Sequence, residues 1–167
     1  MKSCFRVTAV LLLCFAAALL PCQAAKMMPT LDGTLDKSQI ALGKIRPGDS
    51  AEQVREICGE PQTAERAARD REVYSYKDGS FVITLVSGTV QNILCTRDGE
   101  EETPNGVTVW QDEIVLGSTY GMASQIEERA DGCTVYAYWG NITAPCQYLV
   151  FTTNNGSIEQ IACGVVR

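Results

Sequence analysis

The chain has 167 residues, of which 14 are basic, 20 acidic and none histidine. The lack of imidazole excludes Ser/His/Asp and Cys/His catalysis and every zinc site that needs a histidine ligand. All 20 carboxylates and 12 of the 14 cations lie beyond residue 25, leaving a net charge of −8 there, a poor match for nucleic acid or an anionic membrane surface.

At the N-terminus, Lys2 and Arg6 precede a 14-residue apolar run at 7–20, and Pro21 with Cys22-Gln23-Ala24-Ala25 closes it. This charged, apolar, small-residue order predicts a secretory signal over 1–25, cleaved after Ala24 or Ala25. Fourteen residues are too few to span a bilayer as a helix, which takes about 20. The longest later apolar run, 81–86, has six, so no transmembrane span is expected in the mature chain. Leu19-Leu20-Pro21-Cys22 offers a second reading, a lipid anchor at Cys22, which Pro21 fits badly.

Cleavage removes Cys4, Cys14 and Cys22 and leaves Cys58, Cys95, Cys133, Cys146 and Cys163 in a disulfide-permissive compartment. Five is odd, so one thiol is free or pairs between molecules. Cys133 and Cys146 bracket a short run and are the first choice for a local bridge; Cys58 with Cys95 is the second. Cys163 as a reactive thiol would have no histidine to lower its pKa.

After an N-terminal segment at 26–37, Ser50 and Gln53 have capping-box spacing ahead of a short helix at 51–58, with Val54 and Ile57 as its apolar contacts and Gly59-Glu60-Pro61 as its stop. Alternating and β-branched runs at 72–77, 80–86 and 89–95 read as a three-stranded antiparallel meander. Residues 96–106, with three consecutive Glu and a Pro, read as a solvated linker.

The remainder answers to the first part as a degraded repeat. Ile45-x-x-Gly48, Val54 and Ile57 match Ile114-x-x-Gly117, Ala123 and Ile126 at an offset of 69. Val73-Tyr74-Ser75-Tyr76 matches Val135-Tyr136-Ala137-Tyr138 at 62, and the strand 88–95 matches 156–163 at 68. The second helix is thereby expected at 118–128, followed by strands at 134–139, 147–153 and 157–163. The predicted fold class is α+β: two tandem units, 38–95 and 107–167, each a short helix or helix pair packed on a three- to four-stranded antiparallel sheet.

The pattern Ile45-x-x-Gly48-Asp49-Ser50-x-x-x-Val54-x-x-Ile57-x-Gly59-Glu60-Pro61, then Tyr74-x-Tyr76, then Gly88-x-Val90-x-x-Ile93, resembles the SmpA/OmlA (BamE-like) family. The pairing of two such units is similar to the beta-lactamase inhibitor proteins. The resemblance implies a helix-turn-helix on a small antiparallel sheet. For lipoprotein members it implies support of outer-membrane protein assembly, and for the inhibitors a concave sheet that clasps a secreted hydrolase. The second copy lacks the Gly-Glu-Pro stop.

No catalytic constellation accompanies these elements: there is no glycine-rich loop with a lysine for phosphate and no EF-hand spacing, and nothing fixes two carboxylates across a cleft. Neither enzyme activity nor a cofactor or metal is expected. Strand alternation sets Tyr74 and Tyr76 against Val73, Ser75 and Lys77, and Tyr136 and Tyr138 against Val135, Ala137 and Trp139. Helices cover only one face, and the tyrosines suit the covered one. The partner-binding candidates are Trp139, Tyr138 and Lys77, while Trp110 and Tyr120 suit packing as well as binding. Asn141-Ile142-Thr143 is a glycosylation sequon, meaningful only in a eukaryotic secretory pathway. The expected role is an exported bacterial cell-envelope protein, periplasmic, outer-membrane-associated or secreted, that binds another envelope or secreted protein without catalysis, in outer-membrane protein assembly or envelope maintenance. The alternative is an inhibitor of a secreted hydrolase.

Overall fold

The structure, a computed structural model, describes residues 34–140 and 145–166. The signal segment 1–25 with Cys22, most of the segment 26–37 and the sequon at Asn141 lie outside the described residues.

Eight strands form one antiparallel sheet: β1 (Thr63–Ala68), β2 (Arg71–Tyr76), β3 (Phe81–Val86), β4 (Thr89–Cys95), β5 (Gln125–Glu128), β6 (Cys133–Trp139), β7 (Cys146–Asn154) and β8 (Ser157–Val166). Their spatial order is β1-β2-β3-β4-β8-β7-β6-β5. Two short helices, α1 (Ala51–Cys58) and α2 (Ile114–Tyr120), lie on one face. The expected pair of tandem helix-on-sheet units is therefore corrected to a single sheet. The physical reason is the seam between β4 and β8, where Asn92 pairs with Gly164, Ile93 with Cys163, Leu94 with Ala162 and Cys95 with Ile161. Main-chain pairing runs through the middle of the protein, and one apolar core spans it.

The helix side holds that core. Tyr74, Ile83, Leu85, Ile93, Leu149, Phe151, Ile161 and Cys163 alternate inward along their strands and are buried. Leu35, Ile40, Leu42 and Ile45 from the irregular N-terminal stretch close over them. Each such side chain contributes roughly 1.5–3 kcal/mol relative to an exposed position. α1 has the capping box expected of it: Ser50 Oγ accepts from the Gln53 amide and Gln53 Oε1 from the Ser50 amide, at 3.2 and 2.8 Å. Tyr76 and Tyr138 each send a hydroxyl to the carbonyl of the glycine that ends a helix, Gly59 and Gly121, at 3.2 and 3.4 Å. Both glycines have a positive φ, as helix stops favour.

These contacts recur 62 residues apart, and the same spacing relates Gly48 to Trp110, whose amides donate to Val90 and Ile158, and β1 to β5. The offset of 69 predicted for the helix is thus corrected: α2 begins at Ile114, and 125–128 is an edge strand. Residues 96–106 are corrected as well. Thr103 is buried and accepts from the Tyr120 hydroxyl at 2.7 Å, and Glu102 O accepts from the Gly43 amide, so the segment is packed against the body.

On the other face, the Tyr148 ring lies across β8 and its hydroxyl donates to Asn92 Oδ1 at 2.8 Å. Gly164 sits beneath it. A Cβ there would meet the Tyr148 hydroxyl at 2.5 Å and the Gln91 carbonyl at 2.6 Å, so the seam has no room for a side chain at this position.

The five described cysteines are all free. Cys133 pairs with Asn154 at one end of the β6–β7 hairpin, and Cys146 opens β7 at the other end. Eight residues of strand separate Asn154 from Cys146, about 27 Å at ~3.4 Å per residue, whereas a disulfide needs Cα atoms within about 7 Å. The expected Cys133–Cys146 bridge is excluded by register, and the Cys58–Cys95 bridge is not formed either. Burial pushes the Cys95 thiol up to about 11 and raises Cys163 further, so neither is a ready nucleophile.

Two expectations follow from this packing. Gly164→Ala should cost about 1–3 kcal/mol of stability in urea unfolding, part of it recovered when Tyr148→Leu removes the hydroxyl that the new methyl meets. Alkylation of the denatured, unreduced protein should label Cys133 and Cys146 separately, and peptide mapping should find no crosslink between them.

Candidate functional site

The two helices pack on one face of the sheet and leave the other face without a helix. Strand register places one residue from each strand in a single row across it: Thr63, Ser75, Val82, Leu94, Ala162, Val150, Ala137 and Gln125. The five central members are apolar, a row about 19 Å across at ~4.8 Å per strand. Of these five, Val82, Leu94, Ala162 and Val150 are half-buried and Ala137 is buried, while the strand neighbours of the first four on the helix side are all buried. A polar row runs alongside through Thr84, Asn92, Gly164, Tyr148 and Trp139.

Trp139 ends this second row. Its ring meets Tyr148 edge-on, with centroids 6.2 Å apart. The N-terminal stretch fixes its backbone, since the Leu35 amide donates to Trp139 O at 2.9 Å. The Tyr148 ring is held in turn by Asn92 and by the gap at Gly164. Trp139 and Tyr148 thus form a preorganised aromatic corner beside an apolar floor, the composition that protein interfaces favour.

The structure separates the three binding candidates read from the sequence. Trp139 is on the open face. Tyr138 is buried, packed against Tyr120 and Phe151 at centroid distances of 5.3 and 6.0 Å, and is corrected from a binding residue to a core residue. Burial raises its hydroxyl pKa to about 12. Lys77 is also off the open face, because the chain turns out of β2 there with φ of 50°. Its ammonium lies 2.8 Å from Glu101 Oε1 and 3.5 Å from Glu100. Hydrogen bonding to Glu101 holds its pKa above the usual lysine range. Lys77 thereby pins 96–104 to the first strands, at the rim of a groove of about 870 Å³ floored by Ile57, Tyr76 and Phe81.

Tyr148 and Asn92 were not identified from sequence. The β7 run shows that Tyr148 opposes Leu149, but nothing local shows that it lies over a glycine sixteen residues on. Among the described residues, no cluster of three or more Cys, Asp or Glu is placed to hold a metal ion, and no helix is long and apolar enough to cross a membrane.

No protein-family model matches this sequence, and no curated protein matches it. Solved structures of similar fold are known. One is an extracellular protein containing an SCP domain from Bacillus anthracis, at a TM-score of 0.50 and 9% identity, covering 71% of this chain and 43% of that one. Another is a cysteine-rich secretory protein from Staphylococcus aureus, at a TM-score of 0.51 and 9% identity, covering 78% of this chain and 50% of that one. The chain thus spans half or less of the length of these neighbours, and the likeness concerns the fold alone. The resemblance to the SmpA/OmlA family is corrected accordingly: no family model supports it, and the solved structures of like fold are SCP-domain and cysteine-rich secretory proteins. The motif residues that carried it, Gly48, Ser50, Val54 and Gly59, serve a helix entry, cap, core contact and stop, which many folds need.

Proposed function

We propose that this is an exported, non-catalytic protein that binds another protein through its open sheet face. The observation that carries the reading is the register row of Val82, Leu94, Ala162, Val150 and Ala137, with Trp139 and Tyr148 beside it. Half-buried apolar side chains set side by side next to an aromatic pair have the composition of an interface core. Export is supported by the residue order of 1–25 and by the extracellular and secretory character of the two structural neighbours. Envelope maintenance and inhibition of a secreted hydrolase are both finer versions of this reading, and the identity of the partner separates them.

The test is crosslinked capture from the envelope and the medium of the producing cell, comparing the mature chain with Val150→Glu and Trp139→Ala. Both side chains are half-buried on the open face, so each variant should lose about 1–3 kcal/mol in urea unfolding while remaining folded. Capture of one protein by the parent, weakened tenfold or more in both variants, is the expected outcome. Undiminished capture by both variants would place the binding elsewhere.

A further inference from the structure

A second surface, on the helix side, differs between positions that the backbone makes equivalent. The spacing of 62 residues relates Gly48 to Trp110, Glu52 to Ile114, Glu60 to Met122 and Ala64 to Ile126. The first member of every pair is a glycine, a carboxylate or an alanine, ordinary choices for exposed positions. The second is a large apolar side chain in water: Trp110 is 57% exposed, Ile114 77%, Met122 64% and Ile126 57%. They follow the chain from the entry of α2, over its outer surface and past its stop into β5, whose Ile126 shares the helix side with its register partner Tyr136.

Trp110 makes this departure sharper. Where the first half has a glycine at φ 98°, Trp110 takes φ 71°, a left-handed conformation that side chains rarely adopt, and it gains little core burial in return. Its indole is nonetheless held rigid. The Nε1–H donates to Arg97 O at 2.6 Å, and the Arg97 guanidinium stacks 4.1 Å from the ring centroid while pairing with Glu159 at 3.0 Å. A fixed, exposed tryptophan backed by an arginine is the usual form of an interface anchor.

The charge around this surface selects what can cover it. Beside these side chains the chain carries Asp112, Glu113 and Glu128, with Asp131 in the turn that follows, against Arg129 and against Arg97, whose charge is taken up by Glu159. A second copy would bring two acidic rims together, and an anionic bilayer would be repelled. We propose that Trp110, Ile114, Met122 and Ile126 form a docking surface for a basic amphipathic segment of a partner protein, with its apolar face on these four side chains and its Lys or Arg residues against the acidic rim. This surface is separate from the open sheet face.

The test uses the mature chain in a Trp139→Phe background, where Trp110 is the sole indole, titrated with a Leu/Lys peptide of about 18 residues patterned as an amphipathic helix. The expected result is a saturable blue shift of Trp110 fluorescence that weakens as salt rises, with no shift from a Leu/Glu peptide of the same pattern. The triple variant Ile114→Glu, Met122→Glu and Ile126→Ala installs the residues found at the equivalent positions 52, 60 and 64, so the fold accommodates them. It should keep the parent's circular dichroism and bind the Leu/Lys peptide at least tenfold more weakly, while Val150→Glu on the other face should bind it unchanged. Equal binding of both peptides, unchanged affinity in the triple variant, or a parent dimer that the triple variant abolishes would each overturn the proposal.

Discussion

The pairing of β4 with β8 is short, four residue pairs, yet both faces of the sheet depend on it. On the helix side it puts Ile93 beside Cys163 and Cys95 beside Ile161, all fully buried, so the side chains under α1 and those under α2 form one core. On the other side it puts Leu94 beside Ala162 and Asn92 beside Gly164, which makes the apolar row continuous and lets Tyr148 reach Asn92. A unit of about 60 residues buries too little apolar surface to be robust alone. Joining edge to edge removes two exposed strand edges at the same stroke and leaves only β1 and β5 at the rims.

The rest of the chain reinforces this seam by crossing it. The N-terminal stretch, which precedes α1, sends Leu35 to the Trp139 carbonyl on β6. Residues 96–106 leave β4, return a carboxylate to Lys77 through Glu101, and offer Thr103 to Tyr120 at the end of α2. Arg97 reaches Trp110 and Glu159. Each crossing contact would be lost if the two groups of strands separated, which favours cooperative behaviour over independent units.

Much of the strand content was legible because six of the eight strands are alternating, β-branched or aromatic runs, most of them bounded by turn dipeptides. The runs read at 72–77, 80–86, 89–95, 134–139, 147–153 and 157–163 agree with β2, β3, β4, β6, β7 and β8 to within about three residues at either end. The two edge strands were not legible. β1 has the sequence TAERAA and is exposed throughout, so no face is marked by hydrophobic residues. β5 is equally exposed and was absorbed into the second helix. That error has a single origin. The first helix is announced by Gly48 and Ser50; the second is entered through Trp110, with Asp112 rather than a serine accepting from the Ile114 amide, and Gly117 supplied a false match to Gly48. The assembly itself, one sheet instead of two tandem units, rests on pairing between residues some 70 positions apart, which leaves no local pattern. Of the candidate site, Trp139 was readable from alternation beside a turn. Tyr148 and the row it borders were not, because a register row is written across strands.

Native-state hydrogen exchange across the seam tests the account most directly. If one sheet and one core hold the protein together, the slowest amides of Asn92–Cys95 and Ile161–Gly164 should exchange only through global unfolding, at the same free energy as the slowest amides of β3 and β7. Two groups of amides with distinct opening free energies, one in β1–β4 and one in β5–β8, with the seam exchanging before either, would contradict it.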